Sequence, residues 1–245
     1  MTIVDDDLQK FKIVHVNGCI LKEGSVNILA NAVHFIKTIA LRTIKCRWKS
    51  SDVTLRYGLT RTDLRQIVEY LLAGNPNLPS PPVVKVLTIL QYQKVHCCET
   101  FIETGTCFGE TTADVSPYFK TCHTIELSPE LAEKARARFF LNKRVHVHQG
   151  NSAEILDTLL ERLQAPAIFW LDAHYSGGMT AGKDADPLED ECRNILVHPI
   201  KRHIILIDDA RGLGFPLEQI TALVKNTGGK YSVEMFNDIV RLVPI

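Results

Sequence analysis

Two groups of residues in this chain have the types and spacing to do chemistry. The first is Phe101-Ile-Glu-Thr-Gly-Thr-Cys-Phe-Gly-Glu-Thr-Thr112. Its apolar start predicts a strand. Gly105 and Gly109 predict a tight loop whose backbone approaches a ligand closely, and the helix that follows turns its free amide hydrogens toward that ligand. Glu126 closes the next strand about twenty residues on, the spacing at which a carboxylate meets a ribose diol. A glycine loop alone does no more than make a turn as often as it binds anything. Strand, loop, helix start and acid in register point to a nucleoside-containing ligand. Cys107 stands where a dinucleotide fingerprint has its middle glycine, which suits a ligand without phosphates better than a pyrophosphate.

The second group is Asp172, His174, Asp208 and Asp209. Asp172 and Asp208 each close a hydrophobic run, and neighbouring strands of a parallel sheet bring such residues to one rim. Three carboxylates there repel one another unless a cation joins them, and oxygen donors of this kind suit magnesium or calcium. A structural reading stands beside this one, in which Asp208 and Asp209 cap the following loop or pair with Arg211. In the same reading His174 bonds the backbone of Ser176-Gly177-Gly178.

The elements that must position these groups follow from composition and pattern. The chain has 245 residues, 45% hydrophobic and 23% charged, enough to bury a substantial core in one α/β domain with an N-terminal addition. Lys plus Arg and Asp plus Glu are 28 each, so no global field draws the protein to nucleic acid or to an anionic membrane. The acidic start Met1-Thr-Ile-Val-Asp-Asp-Asp7 is unlike a secretory signal, and no apolar run reaches membrane-spanning length. A cytoplasmic location is expected. Seven cysteines without a Cys-x-x-Cys pair indicate neither a zinc site nor a disulfide framework.

Along the chain, residues 8–25 predict a small hairpin or irregular cap around Asn17-Gly18. Residues 26–45 predict an amphipathic helix whose basic side is read as solvated. Thr62–Ala73 predicts a threonine-capped helix with Gly74 as its stop. Four prolines in Asn75–Pro82 break the chain, dividing a mainly helical extension, residues 1–80, from the main domain, residues 81–245. Val83–Gln93 has helical spacing, with a strand as the alternative. Strands are then predicted at 121–127, 145–149, 167–172 and 203–208, and helices at 129–140, 153–163, from Asp186 onward, and at 217–225. Ser128-Pro129-Glu130 and Asp186-Pro187-Leu188-Glu189 read as helix starts. The runs 231–236 and 239–243 across Asn237-Asp238 read as a β-hairpin. The fold class is α/β, a doubly wound, mostly parallel, seven-stranded Rossmann-like sheet ending in an antiparallel hairpin.

Residues 99–245 resemble the class I S-adenosylmethionine-dependent methyltransferases, and within them a little-characterised bacterial group similar to metal-dependent sugar and natural-product O-methyltransferases. The resemblance is carried by Ile102–Thr106, Ile125–Ser128, Phe169–Gly178 and Ile205–Arg211. It implies that Glu103, Gly105, Thr106 and Gly109 surround the methionine part of S-adenosylmethionine, with Asp172 beside them. Glu126 would hold the ribose, and Asn151 and Ser152 would lie by the adenine. It further implies a divalent ion, Mg2+, on Asp172, Asp208 and Asp209, and His174 as base with Asp172. Asn151 in place of the commoner Asp, and Cys107, depart from the family pattern.

The expected activity is therefore O-methylation of a small molecule or sugar, magnesium-assisted, with no nucleic-acid or membrane partner and a homo-oligomer formed through the N-terminal segment. A nicotinamide-dependent oxidoreductase and a non-catalytic cofactor-binding protein are the alternatives.

Overall fold

The structure, a computed structural model, describes residues 13–16, 19–22, 60–73, 79–173, 187–212 and 216–245. Two compact units emerge, Met1–Asn75 and Pro76–Ile245. In the first, β1 (Ile13–Val16) and β2 (Cys19–Lys22) pair antiparallel with Val16 opposite Cys19, the register that a two-residue connection imposes. Helix α1 (Arg61–Ala73) starts earlier than expected. Thr60, rather than Thr62, caps it: Asp63 N–H donates to Thr60 Oγ1 at 3.2 Å while Thr60 N–H donates back to Asp63 Oδ2 at 2.7 Å. The helix expected at 26–45 and the stop at Gly74 lie outside the described residues.

The second unit begins with α2 (Pro82–His96), whose Pro82 sits at the first helical position where a missing N–H costs nothing. The alternative of a strand at this point is thereby settled in favour of helix. There follow β3 (Thr100–Thr104), α3 (Glu110–Val115), β4 (Thr121–Glu126), α4 (Pro129–Phe139), β5 (Val145–Gln149) and α5 (Ser152–Leu160). After β6 (Ala167–Leu171) come α6 (Leu188–Val197), β7 (Ile204–Ile207), α7 (Leu217–Asn226), β8 (Tyr231–Phe236) and β9 (Ile239–Pro244). Ser128 caps α4 as its sequence implied. Asp186, the expected cap of α6, is outside the described residues.

The strands form one sheet in the order β5-β4-β3-β6-β7-β9-β8, parallel except for β9, which runs antiparallel to both β7 and β8. This is the mostly parallel Rossmann-like sheet with a terminal antiparallel hairpin. The order reverses between β3 and β6, where the chain leaves to build one half of the sheet and returns to build the other, and a crevice opens beyond the carboxyl ends at such a point. Both strands are buried on both faces, as central parallel strands must be, β6 with apolar residues throughout and β3 with Glu103 and Thr104 among its buried residues. Ile102, Phe169, Leu171, Ile205 and Ile207 form one core with Leu156, Ile195 and Leu223 from α5, α6 and α7. The alternate residues Phe101, Ile168, Trp170 and Leu206 are equally buried, and Trp170 is core. Among the described residues no helix is long and apolar enough to cross a membrane.

The terminal hairpin also ties down the loop after β7. Asn237 and Asp238 form its turn with φ of 53° and 58°, the paired left-handed conformation that matches the twist of the flanking strands. From that turn Asp238 Oδ1 accepts the Arg211 N–H at 2.8 Å, its Oδ2 accepts the Arg211 guanidinium, and its carbonyl accepts the Ala210 N–H at 2.9 Å. Removing the carboxylate in Asp238→Ala strands a partly buried guanidinium and is expected to lower unfolding free energy by about 2 kcal/mol in urea titrations. Asp238→Asn, which keeps an acceptor for the amide, is expected to lose less.

Candidate active site at the strand ends

The crevice is closed on its floor by a contact that only glycine permits. Gly105 follows β3 with φ +82°, and a Cβ placed there would lie 2.2 Å from the carbonyl oxygen of Asp172 at the end of β6. Asp172 N–H in turn donates to the Thr104 carbonyl at 3.1 Å. Gly109, φ +72°, leaves room for the Phe139 ring, which a Cβ would approach to 2.8 Å. Both glycines therefore serve close packing of the protein on itself, a requirement separate from the ligand approach expected of them.

Beneath the loop, Glu103 is buried. Its Oε2 accepts hydroxyl hydrogen bonds from Thr112 and Thr124, each at 2.6 Å, and Thr124 also contacts the Thr106 hydroxyl at 2.6 Å. Burial pushes the Glu103 carboxyl up to about 7, against the two hydroxyls that favour its charged form. The structure thus places Glu103 and Thr106 under the loop as its framework.

Glu126, at the end of β4, reaches over the loop. Its Oε2 accepts the Cys107 N–H at 2.8 Å and its Oε1 the Ser128 N–H at 2.9 Å. Cys107 has φ 48°, so the position that lacks the expected glycine adopts a left-handed conformation in which its amide meets this acid. Each carboxylate oxygen keeps a lone pair, so Glu126 can hold its loop and still accept two hydroxyls. Asn151 and Ser152 stand at the start of α5, where Asn151 Oδ1 accepts the Ala153 N–H at 2.9 Å and acts as cap.

The rim on the other side assembles as the strand ends implied. Asp172, Asp208 and Asp209 each offer a carboxylate oxygen, all within 4.8 Å of one another. Asp208 is fully buried. Asp209 has φ 45° and donates its N–H to Asp208 Oδ1 at 2.8 Å, a strained backbone of the kind found at functional sites. Arg211 approaches Asp209 to 3.8 Å and is held chiefly by Asp238.

The ammonium of Lys85, from α2, enters this rim. It donates to Asp208 Oδ2 and lies 3.4 Å from Asp209 Oδ1. Desolvation would lower the Lys85 pKa, yet the three aspartates together raise it, and the charged form is the one held. Burial raises the Asp208 carboxyl while the Lys85 ammonium draws it back down. Three clustered carboxylates suit a hard divalent ion in donor chemistry, but the position such an ion would take against Asp208 already holds a side-chain cation. The residues as arranged do not fit the expected Mg2+.

His174 lies outside the described residues. Sequence reasoning missed Lys85, more than a hundred residues from its partners. The available signal was a charge set between Val84 and Val86 in the apolar first half of the helix. It missed Asp238 too, read only as a turn residue, and Glu191, buried and accepting the Thr104 hydroxyl at 3.3 Å.

No protein-family model matches the chain, and no curated protein does. Solved structures similar to it include an O-methyltransferase from Bacillus cereus in complex with S-adenosylhomocysteine, 16% identical over 80% of this chain and 98% of that one, TM-score 0.48. The methyltransferase PaMTH1 of Podospora anserina, bound to S-adenosylhomocysteine, is 16% identical over 96% and 99%, TM-score 0.48. The O-methyltransferase TomG of Streptomyces achromogenes, involved in tomaymycin synthesis and in complex with S-adenosylmethionine, is 16% identical over 81% and 98%, TM-score 0.47.

Two predictions follow from the loop. Gly105→Ala forces both a left-handed alanine and a clash with backbone, and is expected to cost about 2–4 kcal/mol of stability by denaturant unfolding. The folded-state pKa of Glu103, about 7 against the ordinary 4.5, means that the folded protein binds the extra proton between those values. Stability therefore falls as pH rises through that window, by about 1.4 kcal/mol per unit, and the contribution is level on either side. Unfolding curves of Glu103→Gln and the unmutated protein across this range are expected to diverge with that slope.

Proposed function

We propose that the chain is an S-adenosylmethionine-dependent methyltransferase acting on an oxygen of a small molecule or sugar. The observation that carries the reading is Glu126 at the end of β4, clasping the glycine loop through the Cys107 amide while keeping acceptor capacity for a ribose diol. The antiparallel β9 supports it, being the terminal hairpin of that fold. Glu126 at the loop, with Glu110 at the start of α3, favours a ligand without phosphates and weighs against a nicotinamide dinucleotide.

In this reading Glu126 binds the ribose hydroxyls, Asn151 and Ser152 border the adenine, and the loop from Gly105 to Gly109 borders the methionine part. When bound, S-adenosylmethionine supplies an electrophilic methyl group on a sulfonium. The chain's own residues do the rest: the acidic rim faces the acceptor, and His174, two residues after Asp172, takes the proton of the acceptor hydroxyl on an imidazole nitrogen. Holding the reactants in register supplies much of the rate. No step uses a divalent ion.

Calorimetric titration tests this. S-adenosylhomocysteine is expected to bind and NAD to fail, with Glu126→Ala weakening S-adenosylhomocysteine roughly 10–100-fold through loss of hydrogen bonds to a charged acceptor. Binding of NAD alone overturns the proposal. In a subsequent transfer assay, His174→Ala is expected to lose turnover while retaining S-adenosylhomocysteine affinity.

A further inference from the structure

We infer that Lys85 is the resident cation of the acidic rim, standing where a divalent metal would otherwise be required. Asp172, Asp208 and Asp209 bring three carboxylate oxygens within 4.8 Å of one another, a charge density that needs compensation. Arg211 contributes little of it, since its short contact is to Asp238 and its distance to Asp209 is 3.8 Å. Lys85 contributes directly, bonded to the fully buried Asp208 and 3.4 Å from Asp209. Its side chain is 19% exposed, so the ammonium is largely withdrawn from bulk water and positioned by α2.

This arrangement is built into the fold. Lys85 is in the first turn of α2, which Pro82 starts and which Val83, Val84 and Leu87 anchor in the core on either side of the lysine. The carboxylates come from the ends of β6 and β7, neighbours in the sheet. An ammonium carries three N–H groups in a compact head. Asp208 and Asp209 take two of those directions.

The consequence for substrate class rests on the methyltransferase reading. A metal with two open positions selects acceptors having two adjacent oxygens to chelate it. An ammonium held on Asp208 and Asp209 offers hydrogen bonds and no coordination position, so the acceptor is a hydroxyl with no need of a vicinal partner.

The test is Mn2+ binding, measured by calorimetry and by thermal unfolding on the full chain. The unmutated protein is expected to bind no Mn2+ at the rim. Lys85→Met takes the ammonium away from Asp208 and Asp209 and is expected to gain a site at least roughly tenfold tighter than any in the unmutated protein. Its lowered melting temperature should rise with Mn2+, and adding Asp208→Asn should abolish the gain. A Mn2+ site in the unmutated protein that disappears in Asp208→Asn overturns the inference, and that arm decides alone should Lys85→Met fail to fold. Once an acceptor is found, transfer that survives EDTA supports the inference and transfer abolished by EDTA and restored by Mg2+ contradicts it. S-adenosylhomocysteine binding in the same samples keeps the two claims apart: its failure removes the methyltransferase reading and leaves the Mn2+ result standing.

Discussion

The structure depends on a backbone contact with no side chain in it. Where β3 and β6 part company, Gly105 meets the carbonyl of Asp172 so closely that a single methyl group would sit 2.2 Å from the oxygen. That approach is possible because β3 and β6 are hydrogen-bonded neighbours to their last residues, Thr104 opposite Leu171. It brings the glycine loop and the acidic rim, more than sixty residues apart in the chain, to the two sides of one crevice. The glycine loop and the Asp172 end of the rim both take their position from this junction.

Around it the protein concentrates negative charge and neutralises it in three ways. Glu103 is buried under hydroxyls and held near neutrality by desolvation. Glu126 is buried against the loop and is satisfied by amides. Asp208 is buried and countered by an ammonium. These are different solutions to the same electrostatic cost, and only the second leaves a carboxylate free to receive hydroxyls from outside. On the proposed reading, a site organised this way suits a cationic, phosphate-free nucleoside better than a pyrophosphate.

Much of the fold was legible in the chain because its signals are local. The Ser128-Pro129 helix start, the apolar runs of β6 and β7 and the Asn237-Asp238 turn each carry their own physical reason, and the alternation of strands with helices implies the parallel sheet. Convergence of Asp172, Asp208 and Asp209 was legible too, since strand ends of one sheet share a rim. What was not legible were pairings across the chain. Nothing near Lys85 names Asp208, and nothing near Asp238 names Arg211, because these contacts exist only once α2 and the hairpin dock on the sheet. The need for a counter-ion was readable from charge alone. Its identity as a lysine was not. Glycine roles were also only half readable: Gly105 and Gly109 announce positive φ, but what crowds them, Asp172 and Phe139, emerges only in three dimensions.

The central claim is that one crevice holds a phosphate-free nucleoside on Glu126 and faces its reactive end to the Lys85 rim. A crystal structure of the protein grown with S-adenosylhomocysteine measures this most directly. The account predicts ribose hydroxyls within hydrogen-bonding distance of the Glu126 carboxylate, the loop amide of Cys107 still on the same acid, and Lys85 still on Asp208. Density for the ligand away from the β3–β6 junction, or a ribose that leaves Glu126 untouched, would contradict it.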